Sequence, residues 1–254
     1  MNQPGKRIFF LIGIVAVVWI TFAGQLMAGE VRVAVASNFS EVIKVIAERF
    51  EKSTGHQVIL SFGSTGKHYA QIKNGAPYDV FLAADELRPK LLEQEGIALP
   101  GSRFTYAIGK LILWSPRKGY VDSAGAVLKQ GTFRFLAIAN PRLAPYGKAA
   151  REVLQALGLW KALGKQMVRG ENIGQAFQYI KSGNAELGFV AYSQVKKPGH
   201  PIAGSYWMVP QEMYTPIRQQ AVLLTKNAAA HAFLSFVRSD AALAIIQSYG
   251  YETP

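Results

Sequence analysis

The sequence predicts an α/β protein made of two Rossmann-like lobes, and three observations lead there. Short apolar runs alternate with stretches of helical periodicity along most of the chain, the pattern of mostly parallel strands covered by helices. The two halves open alike, Arg32-Val-Ala-Val-Ala-Ser-Asn38 against Arg134-Phe-Leu-Ala-Ile-Ala-Asn140. With 254 residues, 50% of them hydrophobic and 17% charged, the chain has enough apolar surface for one large domain or two small ones. A disordered or acidic low-complexity chain is excluded, because such chains cannot offset their ordering entropy.

The first half reads as a βαβαβα unit complete by about residue 100. Val31–Ala36 is a strand, Ser37–Ser40 a turn, and 41–52 a helix with apolar residues at 42, 43, 46, 47 and 50, ending near Gly55. Val58–Phe62 is the next strand, Gly63-Ser64-Thr65-Gly66 its exit loop, and Lys67–Lys73 a helix stopped by Asn74-Gly75. Val80–Ala84 is a third strand, followed by a helix over Glu86–Glu95. Leu111–Trp114 reads as a connecting strand.

The second half repeats the scheme. Phe133–Ala139 is a strand, Tyr146–Leu157 a helix closed by Gly158, Ile173–Lys181 a helix, and Leu187–Ala191 a strand. A strand over Gln219–Leu224 and a helix over Ala229–Arg238 follow, then a shorter helix ending at Gly250.

Residues 1–28 stand apart. Lys6 and Arg7 precede an apolar run over Ile8–Gly24, closed by small residues at Ala28 and Gly29, the make-up of a secretory signal peptide. Cleavage is expected after Ala28, with a cut after Gly24 as an alternative. An uncleaved anchor is the rival reading, since the run reaches the lower end of the roughly 17–25 residues that span a bilayer. The absence of cysteine removes disulfide scaffolds, thiolate metal sites, cysteine nucleophiles and a lipid anchor on an N-terminal cysteine. An exported chain of this kind is expected in a Gram-negative periplasm.

Loss of the leader lowers the formal charge from +12 to +10. Export argues against nucleic acid, and the basic residues are dispersed without the dense stripe that nucleic-acid surfaces present. A mild pull on anions is what the charge implies.

Four strand-to-helix loops carry the chemistry. Phe62-Gly-Ser-Thr-Gly-Lys67 invites a phosphate-loop reading but fails it, since Ser61 stands where the first glycine belongs and His68 follows the lysine. What remains is a hydroxyl-bearing loop at a helix N-terminus, where free N–H groups suit an anion. The bland alternative is a capped turn with Ser64 or Thr65 as N-cap. Ala36-Ser37-Asn38, Ala144-Pro-Tyr-Gly147 and Gly170-Glu-Asn-Ile-Gly174 have the same character. Ligands of open α/β sheets bind beyond the carboxyl ends of strands, so the four loops together predict a cleft rich in neutral donors.

At these loops the mature chain resembles the periplasmic substrate-binding proteins of molybdate and tungstate ABC importers. Val31-Arg-Val-Ala-Val-Ala-Ser-Asn38, Phe62-Gly-Ser-Thr-Gly-Lys67, the stretch Asn74 to Asp85, Asn140-Pro141 with Ala144-Pro-Tyr-Gly147, Leu187-Gly-Phe-Val190 and Tyr249-Gly-Tyr251 carry the resemblance. It implies a type II periplasmic binding protein fold, two α/β lobes joined by two crossovers, with residues 29–108 plus 213–254 as one lobe and 109–212 as the other. It implies an oxyanion held by hydroxyls and main-chain N–H groups: Ser37 and Asn38, Ser64 and Thr65, the amide of Tyr146 and the amide of Ile173. Some members add a tyrosine hydroxyl after the late strand. Here that position is Ala191, with Tyr192 one place on.

Other candidates are weaker. His56, His68, His200 and His231 have no metal-ligand spacing, and no Gly-x-Ser-x-Gly elbow occurs. Asp79 and Asp85 flank the third strand and offer an acid–base pair for an exported hydrolase. Lys67 lies beside the second loop, where a first-turn lysine normally faces solvent. The expectation is therefore a non-enzymatic, monomeric binding protein, free of cofactor or bare metal ion, that takes molybdate or tungstate and delivers it to an ABC permease. Its rivals are the same fold serving sulfate or phosphate, and the hydrolase.

Overall fold

The computed structural model describes residues 28–254. The signal peptide read in residues 1–28 lies outside the described residues except for Ala28.

In chain order the elements are β1 (Glu30–Ala36), α1 (Ser40–Thr54), β2 (Gln57–Gly63), α2 (Thr65–Lys73), β3 (Val80–Leu82), α3 (Leu87–Gln94) and β4 (Phe104–Gly109). The chain then crosses to β5 (Leu111–Ser115), α4 (Val127–Gln130), β6 (Leu136–Ala139), α5 (Pro145–Ala156), β7 (Met167–Gly170), α6 (Ile173–Lys181), β8 (Leu187–Ala191), α7 (Tyr192–Val195) and β9 (Ser205–Met208). It returns through β10 (Ile217–Leu223), α8 (Ala228–Val237) and α9 (Asp240–Ser248).

These strands form two five-stranded sheets, ordered β2-β1-β3-β10-β4 and β7-β6-β8-β5-β9, and each sheet with its helices is one α/β lobe. The strands are mostly parallel, as expected, with one exception in each sheet. β10 is antiparallel to both neighbours in the first sheet, and so is β5 in the second. Both adjoin a crossover, and each enters its sheet against the direction of the other strands. Leu111–Trp114 is therefore no mere connector: β5 is buried between β8 and β9.

Sequence periodicity assigns no strand to 104–109, 167–170 or 205–208, where β4, β7 and β9 lie. All three are sheet edges, half-exposed and mixed in polarity, so neither a clean alternation nor a continuous apolar run marks them. The first turn is also tighter than expected, a 3-10 turn over Ser37–Phe39. The second helix starts earlier than expected, with Thr65 and Gly66 in its first turn and Ser64 as N-cap.

Packing follows the periodicity. Val42, Ile43, Ile46, Ala47 and Phe50 form the buried face of α1, which joins α8, α9 and β1 in one apolar cluster. Gly55 ends that helix at φ +76°, a left-handed conformation that glycine adopts without strain. Truncating Ile43 to alanine there removes side-chain volume that neighbours cannot refill, a loss of about 2–5 kcal/mol. Among the described residues no single helix is long and apolar enough to cross a membrane, and the bent apolar pair α8 and α9 packs into this cluster. A second cluster, centred on β6, β8 and the Ala149, Ala150, Val153, Leu154 face of α5, fills the other lobe.

Candidate functional site

The carboxyl ends of β1, β2, β6 and β7 all lead into loops that open helices, and these loops meet between the lobes. A narrow pocket lies there, and Ser37, Asn38, Ser64, Thr65, Tyr146 and Ile173 all line it. The rest of its wall is backbone and small or neutral side chains, including Ala36, Gly63, Ala84 and Ala144. No charged side chain is among the lining residues.

Each hydroxyl in the pocket is oriented by an N–H that it accepts. Ser37 Oγ accepts from the Gly174 amide of the opposite lobe at 3.1 Å. Ser64 Oγ caps α2 by accepting from the Lys67 amide at 3.3 Å, and Thr65 Oγ1 accepts from the Ala84 amide at 3.1 Å. A hydroxyl carries one proton and two lone pairs. With a lone pair already engaged and no protein acceptor taking the proton, all three protons are available to the pocket. Ser64 is thus the N-cap of α2 and also a residue of the pocket wall.

Main-chain donors complete the set. Pro145 occupies the first turn of α5, a position that needs no N–H, and the Tyr146 amide after it has no protein acceptor. In α6 the Gly174 amide goes to Ser37 and the Gln175 amide to the Asn172 side chain at 2.9 Å, which leaves the Ile173 amide unpaired. Three helix N-termini, those of α2, α5 and α6, face the pocket, each with roughly half a positive charge from its dipole. Gly147 permits this approach, since a Cβ there would stand 2.3 Å from the Ala139 carbonyl oxygen.

Asn38 plays a different part from its neighbour. Its side-chain amide donates to Gln219 Oε1 at 2.8 Å and to the Tyr251 hydroxyl at 2.9 Å. Both amide protons are committed, so its side chain has no proton left for a ligand. The Tyr251 hydroxyl donates back to the Asn38 carbonyl at 3.0 Å, and Ser193 Oγ lies 2.8 Å from that same hydroxyl. Tyr106 and Tyr146 reach the other end of this buried network through Gln219. Burial pushes the phenols of Tyr106 and Tyr146 far above their ordinary range and that of Tyr251 up to about 12, so all three stay neutral.

Gln219, Tyr251, Ser193 and Tyr106 were not singled out by sequence. A signal existed for the first: Gln219-Gln220 interrupts a buried apolar strand, and a bulge between them lets both turn inward. The others look like ordinary apolar or loop residues until the lobes are assembled.

The remaining candidates lie elsewhere. Asp79 accepts from the Arg32 amide at 2.8 Å and from the Thr225 hydroxyl at 2.7 Å, while Asp85 is paired with Arg88. The two carboxylates do not form an acid–base pair, and neither lines the pocket. Lys67 crosses the cleft to Glu171 of the other lobe at 3.1 Å, on the exposed side. The Tyr192 ring stacks toward Tyr206 and Gly250, away from the pocket. His68 packs behind the second loop, its Nε2 3.2 Å from the Val35 carbonyl oxygen, and burial holds its pKa below the ordinary histidine value. Among the described residues no group of acids and histidines could hold a metal ion.

Comparison with known proteins agrees with this architecture. The chain is 56% identical to the molybdate-binding protein ModA of Azotobacter vinelandii over 227 residues, covering 88% of this chain and 90% of that one. It is 52% identical to the molybdate-binding protein ModA of Rhodobacter capsulatus, covering 89% of each. The solved periplasmic molybdate-binding protein of Azotobacter vinelandii superposes with a TM-score of 0.86 at 47% identity, covering 88% of this chain and 99% of that one. Residues 31–252 match the model of the bacterial extracellular solute-binding proteins. The two-lobed fold, the relatives and the family match agree, and the chain belongs to the bacterial extracellular solute-binding protein family.

Proposed function

We propose that the protein captures molybdate, and the isostructural tungstate, outside the cytoplasm and delivers it to an ABC permease. The observation that carries this reading is the pocket's chemistry: hydroxyls that each accept one main-chain N–H and keep a proton to give, unpaired helix-start amides, and no charged side chain. An anion that is fully deprotonated at pH 7 accepts hydrogen bonds from every side, so a wall of donors suits it. Phosphate retains a proton near neutrality and is best served by a carboxylate acceptor, and no carboxylate lines this wall. The names of the relatives support the choice of molybdate.

In this reading Ser37, Ser64 and Thr65 donate their hydroxyl protons, and Asn38, Tyr146 and Ile173 their main-chain N–H groups. The lobes are residues 29–108 with 213–254, and 109–212, a division supported by the strand content of the two sheets, with β4 running one residue past the first boundary. A single chain supplies all four loops, so a monomer suffices. The leader is removed near Ala28, and the mature protein is free in the periplasm. No covalent chemistry is involved, since donors alone do the work. Calorimetric titration of the mature protein with molybdate, tungstate, sulfate and phosphate tests the reading. Tight binding of the first two is expected, and equal binding of sulfate contradicts it.

A further inference from the structure

Tyr146 belongs to two places at once. Its main-chain amide opens α5 at the pocket, while its buried phenol runs the other way and accepts from Gln219 Nε2 at 3.3 Å. The phenol ends against Gly109, the last residue of β4 before the chain crosses to the second lobe. Gly109 pairs with Ile217, the first residue of β10 after the chain returns. Both crossovers therefore run side by side at the point that the Tyr146 hydroxyl touches.

The contact leaves no spare room. A Cβ on Gly109 would lie 2.0 Å from the Tyr146 hydroxyl oxygen, 2.8 Å from Gln219 Nε2 and 3.0 Å from Tyr146 Cζ. Gln219 ties the same spot to the first loop, since its Oε1 accepts from the Asn38 side chain. The lobes here are in contact around the pocket, through Ser37 with Gly174 and through the Gly66 amide with the Leu143 carbonyl at 2.8 Å. In this closed arrangement the phenol fills the gap between pocket and crossovers.

We propose that Tyr146 is a positioning residue that couples the anion pocket to lobe closure, its phenol seated on Gly109 and Gln219 so that its own amide meets the anion only when the lobes are closed. The inference rests on the oxyanion-binding reading above. When the lobes swing apart about the crossovers, the seat on Gly109 loosens and the first turn of α5 leaves the first and second loops. A bound anion draws the amide in and with it the phenol onto its seat. Glycine at 109 then leaves room for both the phenol and the Gln219 side chain where β4, β10 and α5 meet.

The test is a double-mutant cycle read by calorimetry and small-angle scattering, with molybdate as the probe. Gly109→Ala is expected to lose at least about tenfold in affinity and to show no contraction on adding molybdate. Tyr146→Phe retains the amide and loses only the hydroxyl, so a loss of roughly fivefold is expected. The double variant, with the hydroxyl gone from beside the new methyl, is expected to bind at least about threefold more tightly than Gly109→Ala alone. A double variant no better than Gly109→Ala overturns the coupling, as does a Gly109→Ala protein that binds and contracts like the unmodified one. Should Gly109→Ala fail to fold, Tyr146→Phe decides alone: unchanged affinity and contraction overturn the proposal. If the unmodified protein ignores molybdate, the functional reading fails separately, and the cycle is read with whichever tetrahedral oxyanion contracts it. Absence of contraction with all of them overturns both.

Discussion

Ser37 and Gly174 stand on opposite lobes and share a hydrogen bond, the Gly174 amide donating to Ser37 Oγ at 3.1 Å. The bond does two things. It helps to hold the lobes together, and it turns the serine proton toward the pocket. Ser37→Ala removes both, leaving a desolvated anion oxygen and a buried amide without partners. A loss of about 1–3 kcal/mol, or roughly five- to 150-fold in molybdate affinity, is expected by calorimetry. Ser37→Thr retains the hydroxyl and should recover most of the binding. Should Ser37→Ala bind as tightly as the unmodified protein, this hydroxyl does not contact the anion.

Thr65 offers a second check on the same logic. Thr65→Val conserves shape but removes the acceptor of the buried Ala84 amide, and with it a pocket donor. Affinity and unliganded stability should both fall, the latter by about 1–3 kcal/mol in chemical denaturation. A change in stability with unaltered affinity would make Thr65 a structural residue only.

Lys67 should behave differently. It pairs with Glu171 across the exposed rim of the cleft, with side-chain exposures of 52% and 42%, where solvent and salt screen the pair. Lys67→Ala is expected to weaken binding less than threefold at physiological salt. Raising ionic strength should move the affinity of the unmodified protein only slightly. A collapse of binding in Lys67→Ala, or a steep salt dependence, would place the charge of the anion on lysine instead of on neutral donors.

His68 gives a pH signature. Burial lowers its folded-state pKa below the ordinary value, so the unfolded chain takes up the proton first as pH falls. The favourable contribution of the neutral ring is complete above about pH 6.5 and drains away as pH drops toward the lowered folded value. Between pH 7.5 and 5 the melting temperature of the unmodified protein should fall more than that of His68→Gln. Parallel curves for the two proteins would show that the histidine is not the titrating group.

Export has its own readout. Intact mass of protein released from the periplasm is expected to match a chain that begins near Gly29, after loss of the Lys6-Arg7 leader and its apolar run. Full-length mass, recovered only with membranes, would make the leader an anchor.

The legible parts of this fold are those where one periodicity rules. The buried face of α1, the boundaries of α6 and the wholly buried strand Leu187–Ala191 follow directly from apolar spacing and caps. Edge strands such as β7 and β9 escape, because a strand with one flank in water mixes polar and apolar residues without rule. The pocket was legible only as four loops of one character taken together, since a hydroxyl before any single helix serves equally as an N-cap, as Ser64 does. Their mutual wiring was not. Nothing local to Ser37 says that its partner is Gly174, 137 positions away, and nothing local to Tyr251 says that its hydroxyl braces Asn38. Such contacts are products of lobe assembly, which sequence spacing does not encode.

In the proposed function, neutral donors at the meeting of four loops hold a tetrahedral oxyanion. Anomalous diffraction at the molybdenum edge, from crystals of the mature protein grown with molybdate, tests it most directly. One strong peak in the pocket is expected, its oxygens within hydrogen-bonding distance of the Ser37, Ser64 and Thr65 hydroxyls and the Tyr146 and Ile173 amides, with no lysine or arginine in contact. A peak beside Lys67, Arg88 or another basic side chain, with the pocket left empty, would contradict it.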